Sequence, residues 1–179
     1  GADMGMILNF EKDFPSARVV VLDQNYRSSG NILGGANALI RGNSTRRKKD
    51  LWTARNMGEK IYAMYGRSEY EEADFLAAYL KELEGAGEPL RNVCVAARTN
   101  SLVERYEAAL TKRGVEVAVV RTDKSEDRRQ EGVRLATMHR VKGLEFDRMI
   151  MAGAGALPHR AATAADDLAE AADREIMER

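Results

Sequence analysis

The sequence predicts an α/β protein with a doubly wound, largely parallel sheet, and three observations predict it. Short β-branched runs alternate with longer stretches of helical periodicity along the chain. Such alternation reads as repeated strand–helix–strand units with right-handed crossovers. Several runs are apolar at consecutive positions, Val19-Val20-Val21-Leu22 most clearly, which suits strands buried on both faces of a parallel sheet. The length, 179 residues of which 44% are hydrophobic, is enough to bury the core such a sheet needs.

In chain order, strands are expected over Arg18 to Leu22, Ile61 to Tyr65, Val93 to Ala97, Val115 to Val120, Val133 to Met138 and Arg148 to Ala152. The first helix begins behind Ser28 or Ser29, either of which can cap it, and runs to about Ile40. Ser68 caps the second, from Glu69 to about Leu83, in which Phe75, Leu76, Tyr79, Leu80 and Leu83 recur at helical spacing. A third runs from about Ser101 to Lys112 and stops before Gly114, a left-handed cap. A fourth covers roughly Ala162 to Glu178. Gly85-Ala86-Gly87-Glu88-Pro89 is a break, and the polar stretch Thr122 to Glu131 reads as a loop. The cluster Arg46-Arg47-Lys48-Lys49 reads as a solvated basic turn.

Composition narrows the function. With 28 basic and 28 acidic side chains the net charge is zero, which argues against a polybasic partner binder but leaves room for local patches. The single cysteine, Cys94, cannot form an internal disulfide, and no Cys/His cluster has metal-ligand spacing, so no metal site is expected. No apolar run approaches the roughly 18 to 20 residues of a membrane span, so no membrane partner is expected and the expected location is cytoplasmic.

Familiar catalytic signatures are absent. The sequence holds no GxxxxGK[ST] phosphate loop, no GxGxxG and no GxSxG elbow. Val19 to Asp23 imitates an apolar strand ending in a magnesium-binding aspartate, but no phosphate loop precedes it and Gln24 stands where a glutamate would be needed. Two polar segments at the ends of expected strands remain. Leu22-Asp23-Gln24-Asn25-Tyr26-Arg27-Ser28 places an aromatic and an arginine where open α/β sheets hold ligands. The arginine suits a phosphoryl group and the tyrosine a base. The same residues equally suit a capped helix start, and spacing alone does not separate the two. Thr137-Met138-His139-Arg140-Val141-Lys142-Gly143-Leu144-Glu145-Phe146 packs a hydroxyl, an imidazole, two cations, a glycine and a carboxylate between two strands. A plain connector needs turn residues rather than this mixture.

These segments carry a resemblance. Gln24 to Ser28 (QNYRS) resembles motif IV, and Thr137 to Phe146 resembles motif V, of the UvrD/Rep/PcrA-like superfamily 1 DNA helicases. Ala97-Arg98-Thr99-Asn100 is similar to the family's YRTN segment, and Leu51-Trp52-Thr53 to its IWT stretch. The matches fall in the family's order over roughly residues 1 to 155. Gly1-Ala2-Asp3 resembles the tail of motif III, and Asp173 to Arg179 the approach to motif VI. The resemblance therefore implies a RecA-like, three-layer α/β/α fold with helices on both faces. It further implies that residues 1–179 form one C-terminal motor domain (2A), excised from a longer chain. Larger relatives carry an inserted 2B domain where this sequence has only Arg121 to Gly132.

The roles follow residue by residue from the resemblance. Arg27 would be the catalytic arginine finger on the γ-phosphate of ATP held by a first motor domain. Gln24, Tyr26, Gly143 and Glu145 would complete this domain's share of the ATP site, with Tyr26 on the adenine and Glu145 on the ribose. Arg98, Thr99, Asn100, Thr137 and His139 would line a single-stranded DNA track, and Lys142 would serve either ligand. ATP and Mg2+ are the implied cofactors, the Mg2+ ligands lying in the missing N-terminal motor domain. That domain, ATP and single-stranded DNA are the implied partners. The fragment alone is not expected to hydrolyse ATP. Val141, Arg140 and Asp23 depart from the commoner family residues without removing a named part. The rival is a non-catalytic nucleic-acid-binding or scaffold module on the same fold, which would have no reason to keep Tyr26, Arg27 and Glu145 in register.

Overall fold

The computed structural model describes residues 9–10, 12–42, 49–120 and 129–156. Two compact units divide them, one within Gly1–Ala63 and the other within Met64–Leu157.

The second unit is built on four strands, β1 (Val93–Ala97), β2 (Val117–Val119), β3 (Val133–Thr137) and β4 (Arg148–Met151). Their order in the sheet is β2-β3-β1-β4, and every pairing is parallel. This is the all-parallel sheet with helices that the alternation predicted, in the RecA-like α/β class. Strand β1 is buried at all five positions, as a central strand of consecutive apolar residues must be. Val93, Val95 and Ala97 from β1 and Val133 and Leu135 from β3 share one apolar cluster with residues of two helices. The alternate positions Cys94, Ala96, Arg134 and Ala136 are also buried.

The helices are α2 (Glu69–Gly85) and α3 (Asn100–Lys112), counted after α1 (Gly30–Arg41) of the first unit. The Ser68 hydroxyl accepts the Glu71 N–H at 3.2 Å, and Glu69, Glu71 and Glu72 crowd the first turn of α2, where carboxylates favour the exposed N–H groups and the helix dipole. Leu76, Ala77, Leu80 and Leu83 bury the inner face, while Phe75 stays half exposed and stacks on Tyr79 at 6.5 Å. Helix α2 ends where the break was expected, with Gly87 at φ +84°. Helix α3 starts at the Thr99 cap, buries Leu102, Val103, Tyr106 and Leu110, and ends before Gly114 at φ +74°.

Two expected strands do not form. Arg18 to Leu22 and Ile61 to Tyr65 have no regular structure, and both are open to solvent, with Leu22 79% and Tyr65 94% exposed. An apolar run becomes a strand only where a neighbouring backbone supplies its hydrogen bonds. Here a parallel bridge forms just past the first run, between Gln24 and Trp52, and within the run the Leu22 carbonyl accepts from Lys49 Nζ at 2.8 Å. The expected helix over Ala162 to Glu178, the cluster at 46–48 and most of the loop 122–131 lie outside the described residues.

Candidate functional site

In the second unit the site grows from strand register. Ala97 and Thr137 are paired Cα partners at the ends of β1 and β3. Because the strands are parallel, the chain leaves both at the same carboxyl edge, where open α/β sheets bind ligands. Arg98-Thr99-Asn100 and Thr137-Met138-His139 therefore emerge side by side, joined by the Met138 N–H donating to the Ala97 carbonyl at 2.9 Å. Arg98 and Thr99 are partly buried, and Asn100 and His139 are exposed. The Thr99 hydroxyl accepts the Leu102 N–H at 3.2 Å, so it caps α3 as well as lying at this edge.

The ten residues after β3 form a coiled turn before the chain returns to β4. The N–H groups of Arg140 and Val141 donate to the Thr137 carbonyl at 2.9 and 3.2 Å, and the Leu144 N–H donates to Val141 at 2.9 Å. Gly143 takes φ +88° with open space where a Cβ would stand, so the left-handed backbone rather than crowding is what asks for glycine. Lys142, Gly143 and Glu145 are exposed. Two residues past Glu145, the Asp147 N–H donates to the Asn92 carbonyl at 2.9 Å, and Asn92 Nδ2 donates to Asp147 Oδ2 at 2.8 Å. The return is thus pinned just before the first residue of β1, at the sheet's amino end. Burial and the neighbouring Glu72 push the Tyr106 phenol well above its ordinary value, and the Glu72 carboxylate accepts the Gly153 N–H at 2.8 Å just after β4.

In the first unit, two segments singled out from sequence prove to be neighbours. The Asn25 N–H donates to the Trp52 carbonyl at 2.7 Å, and the Trp52 N–H donates to Asp23 at 3.0 Å. Asn25 Oδ1 accepts the N–H groups of Arg27 and Ser28 at 3.0 and 2.8 Å, the local turn that asparagine side chains build. The Tyr26 hydroxyl donates to Gln24 Oε1 at 2.6 Å, and Tyr26 and Arg27 are exposed. Helix α1 follows with Ser29 at its cap, yet no side chain caps it. Instead the Gly30 and Asn31 N–H groups donate to the Asn56 and Met57 carbonyls at 3.0 and 2.9 Å. The start of that helix is thus satisfied by the backbone of residues 56–57, a segment distant in the chain.

Gln24, Tyr26 and Arg27 thus belong to the first unit, and Gly143, Glu145, Arg98, Thr99, Asn100, Thr137, His139 and Lys142 to the second. Sequence reasoning passed over Asn25 and Arg55, whose side chains hold the backbone around Arg27. Asn25 had a signal, an asparagine before a turn, whereas nothing in the sequence marked Arg55.

A family model described as the UvrD-like helicase C-terminal domain matches residues 20–125. The chain belongs to that family. The matched range holds Gln24 to Ser28, Leu51 to Thr53 and Arg98 to Asn100, while Thr137 to Phe146 lies beyond it. Among relatives, the ATP-dependent DNA helicase PcrA of Bacillus subtilis is 38% identical over 148 residues, 82% of this chain and 20% of that protein. The protein of the same name from Staphylococcus aureus is 37% identical over 130 residues, 73% of this chain and 18% of that one. This UvrD-like chain therefore spans about a fifth of the relatives it matches. The C-terminal domain of a possible DNA helicase from Lactobacillus plantarum overlaps partially, with a TM-score of 0.38 and 22% identity over 45% of this chain and 47% of that one. Among the described residues no helix is long and apolar enough to cross a membrane, and no group of three or more His, Cys, Asp or Glu could hold a metal ion.

Proposed function

We propose that this UvrD-like domain is the second motor domain (2A), without a 2B insertion, of an ATP-dependent helicase that moves on single-stranded DNA and unwinds duplex. The observation that supports this best is the pairing of Ala97 with Thr137. It sets a cation, an amide, two hydroxyls and an imidazole along one edge of a rigid sheet, the mixture that grips a phosphate backbone without reading its sequence.

In this reading Arg98, Thr99, Asn100, Thr137 and His139 hold the strand, and Lys142 adds a cation to either ligand. Arg27 stabilises charge developing on the γ-phosphate as the terminal phosphoryl group passes to water. Tyr26 lies on the adenine, Gln24 orients the Tyr26 hydroxyl, and Glu145 accepts from the ribose. A magnesium ion bound with ATP would neutralise the phosphate oxygens, with its ligands on the partner motor domain. ATP binding closes the two motor domains and hydrolysis releases them, so that the strand is gripped alternately.

The test is ATP hydrolysis by the full-length helicase, with and without single-stranded DNA, for wild type and Arg27→Ala. A DNA-stimulated rate that falls about 10³-fold or more in the variant is the expected result. Absence of any DNA-stimulated turnover in wild type would establish the rival, a binding module on a helicase fold.

A further inference from the structure

Arg27 has no regular secondary structure around it, yet its backbone is held on both sides by two side chains. Its N–H donates to Asn25 Oδ1 at 3.0 Å. Its carbonyl accepts from Arg55 Nη1 at 2.5 Å, and the same nitrogen reaches the Tyr26 carbonyl at 3.5 Å. Arg55 is itself placed locally, since its N–H donates to Thr53 Oγ1 at 3.2 Å, and Trp52 beside it bridges to Gln24. A cation on a carbonyl forms a stronger hydrogen bond than a neutral donor does. The carbonyls it gathers belong to the residue proposed to reach the nucleotide and to the one before it.

We infer that Arg55 is a positioning residue for the proposed arginine finger, fixing the Arg27 backbone so that the Arg27 guanidinium is aimed before ATP arrives. The inference rests on the reading of Arg27 given above. A phosphoryl-transfer site depends on pre-set geometry, and a misplacement of about 1 Å can cost on the order of a hundredfold in rate. Arg55 touches neither phosphate nor base in this account. Its loss therefore acts on the chemical step through Arg27 and leaves nucleotide affinity in place.

The experiment measures DNA-stimulated ATP turnover of the full-length helicase for Arg55→Ala, Arg55→Lys, Arg27→Ala and the double variant. Arg55→Ala is expected to lower kcat roughly ten- to a hundredfold, with KM for ATP changed less than twofold. Arg55→Lys, which keeps a cation within reach of one carbonyl, should recover most of that loss. The double variant should be no slower than Arg27→Ala, because groups acting through one another are not additive. A wild-type kcat for Arg55→Ala beside a slow Arg27→Ala would overturn the positioning role alone. A double variant slower than Arg27→Ala by the full Arg55→Ala factor would overturn it too, since Arg55 would then act independently. Wild-type turnover in Arg27→Ala would instead sink the finger reading and the positioning role with it.

Discussion

The guanidinium of Arg148 grips the carboxylate of Glu88 with two parallel bonds, Nε to Oε2 and Nη2 to Oε1, each 2.7 Å long. This fork-to-fork contact ties the loop after α2 to the start of β4, the strand that receives the chain returning past Glu145. Glu88 is thereby held below the usual carboxylate range, chiefly by its hydrogen bonds to Arg148. A carboxylate whose pKa is lower folded than unfolded stabilises the fold above its unfolded pKa, and that contribution disappears as pH falls through the lowered folded value. Glu88→Gln should therefore lower the thermal midpoint at neutral pH, and the gap from wild type should narrow steadily in acid. Melting curves between pH 7 and pH 3 check this; a gap independent of pH would refute it.

Thr99 serves the helix before it serves any ligand. Its hydroxyl caps α3 by accepting from Leu102, so Thr99→Ala should cost about 1 kcal/mol of stability while Thr99→Ser costs little. Urea unfolding of the three proteins decides it. Equal stability of alanine and serine variants would remove the cap from the account.

Gly132 enters β3 at φ +92°, and a Cβ there would stand 2.7 Å from the Glu116 carbonyl oxygen. That carbonyl accepts the Val133 N–H at 2.9 Å and aligns β2 with β3, so neither partner can move aside cheaply. Gly132→Ala should destabilise by about 1–3 kcal/mol from backbone strain alone. Gly143→Ala, with the same sign of φ but open space around it, should cost less. Chemical denaturation of both variants tests the order.

The contrast between the two units shows what a sequence carries and what it does not. Where an apolar run had both a backbone partner and a helix to bury it, as Val93 to Ala97 did, the pattern gave the strand to the residue. Val19 to Leu22 has the stronger apolar pattern and forms no strand, because a pattern cannot state whether a neighbouring edge is present. Caps were legible for the same local reason, Ser68 and Gly114 acting within a few residues of themselves. The site was legible as two segments, but their adjacency at Ala97 and Thr137 is a matter of strand order, which no short motif encodes. Arg55 was invisible, since the carbonyl of Arg27 lies 28 residues away in the chain.

The DNA reading of the sheet edge makes a prediction that separates charge from position. Asn100 is the first residue of α3 and Arg98 lies just before its cap, whereas Lys112 is its last residue, about 18 Å from Asn100 along a helix rising about 1.5 Å per residue. If the strand runs along the carboxyl edge, Arg98→Ala removes a phosphate contact, weakening binding and reducing the slope of log affinity against log salt by about 0.7 for a single strand. Asn100→Ala and Thr137→Ala remove neutral donors from the same edge, so they should weaken binding while leaving the slope unchanged. Lys112→Ala changes the net charge as Arg98→Ala does but lies at the opposite end, and should alter neither. Fluorescence titrations of the full-length helicase on an oligonucleotide at several salt concentrations read all four. If Lys112→Ala reproduces the slope change of Arg98→Ala, only overall charge is being sensed, and the track does not lie at this edge.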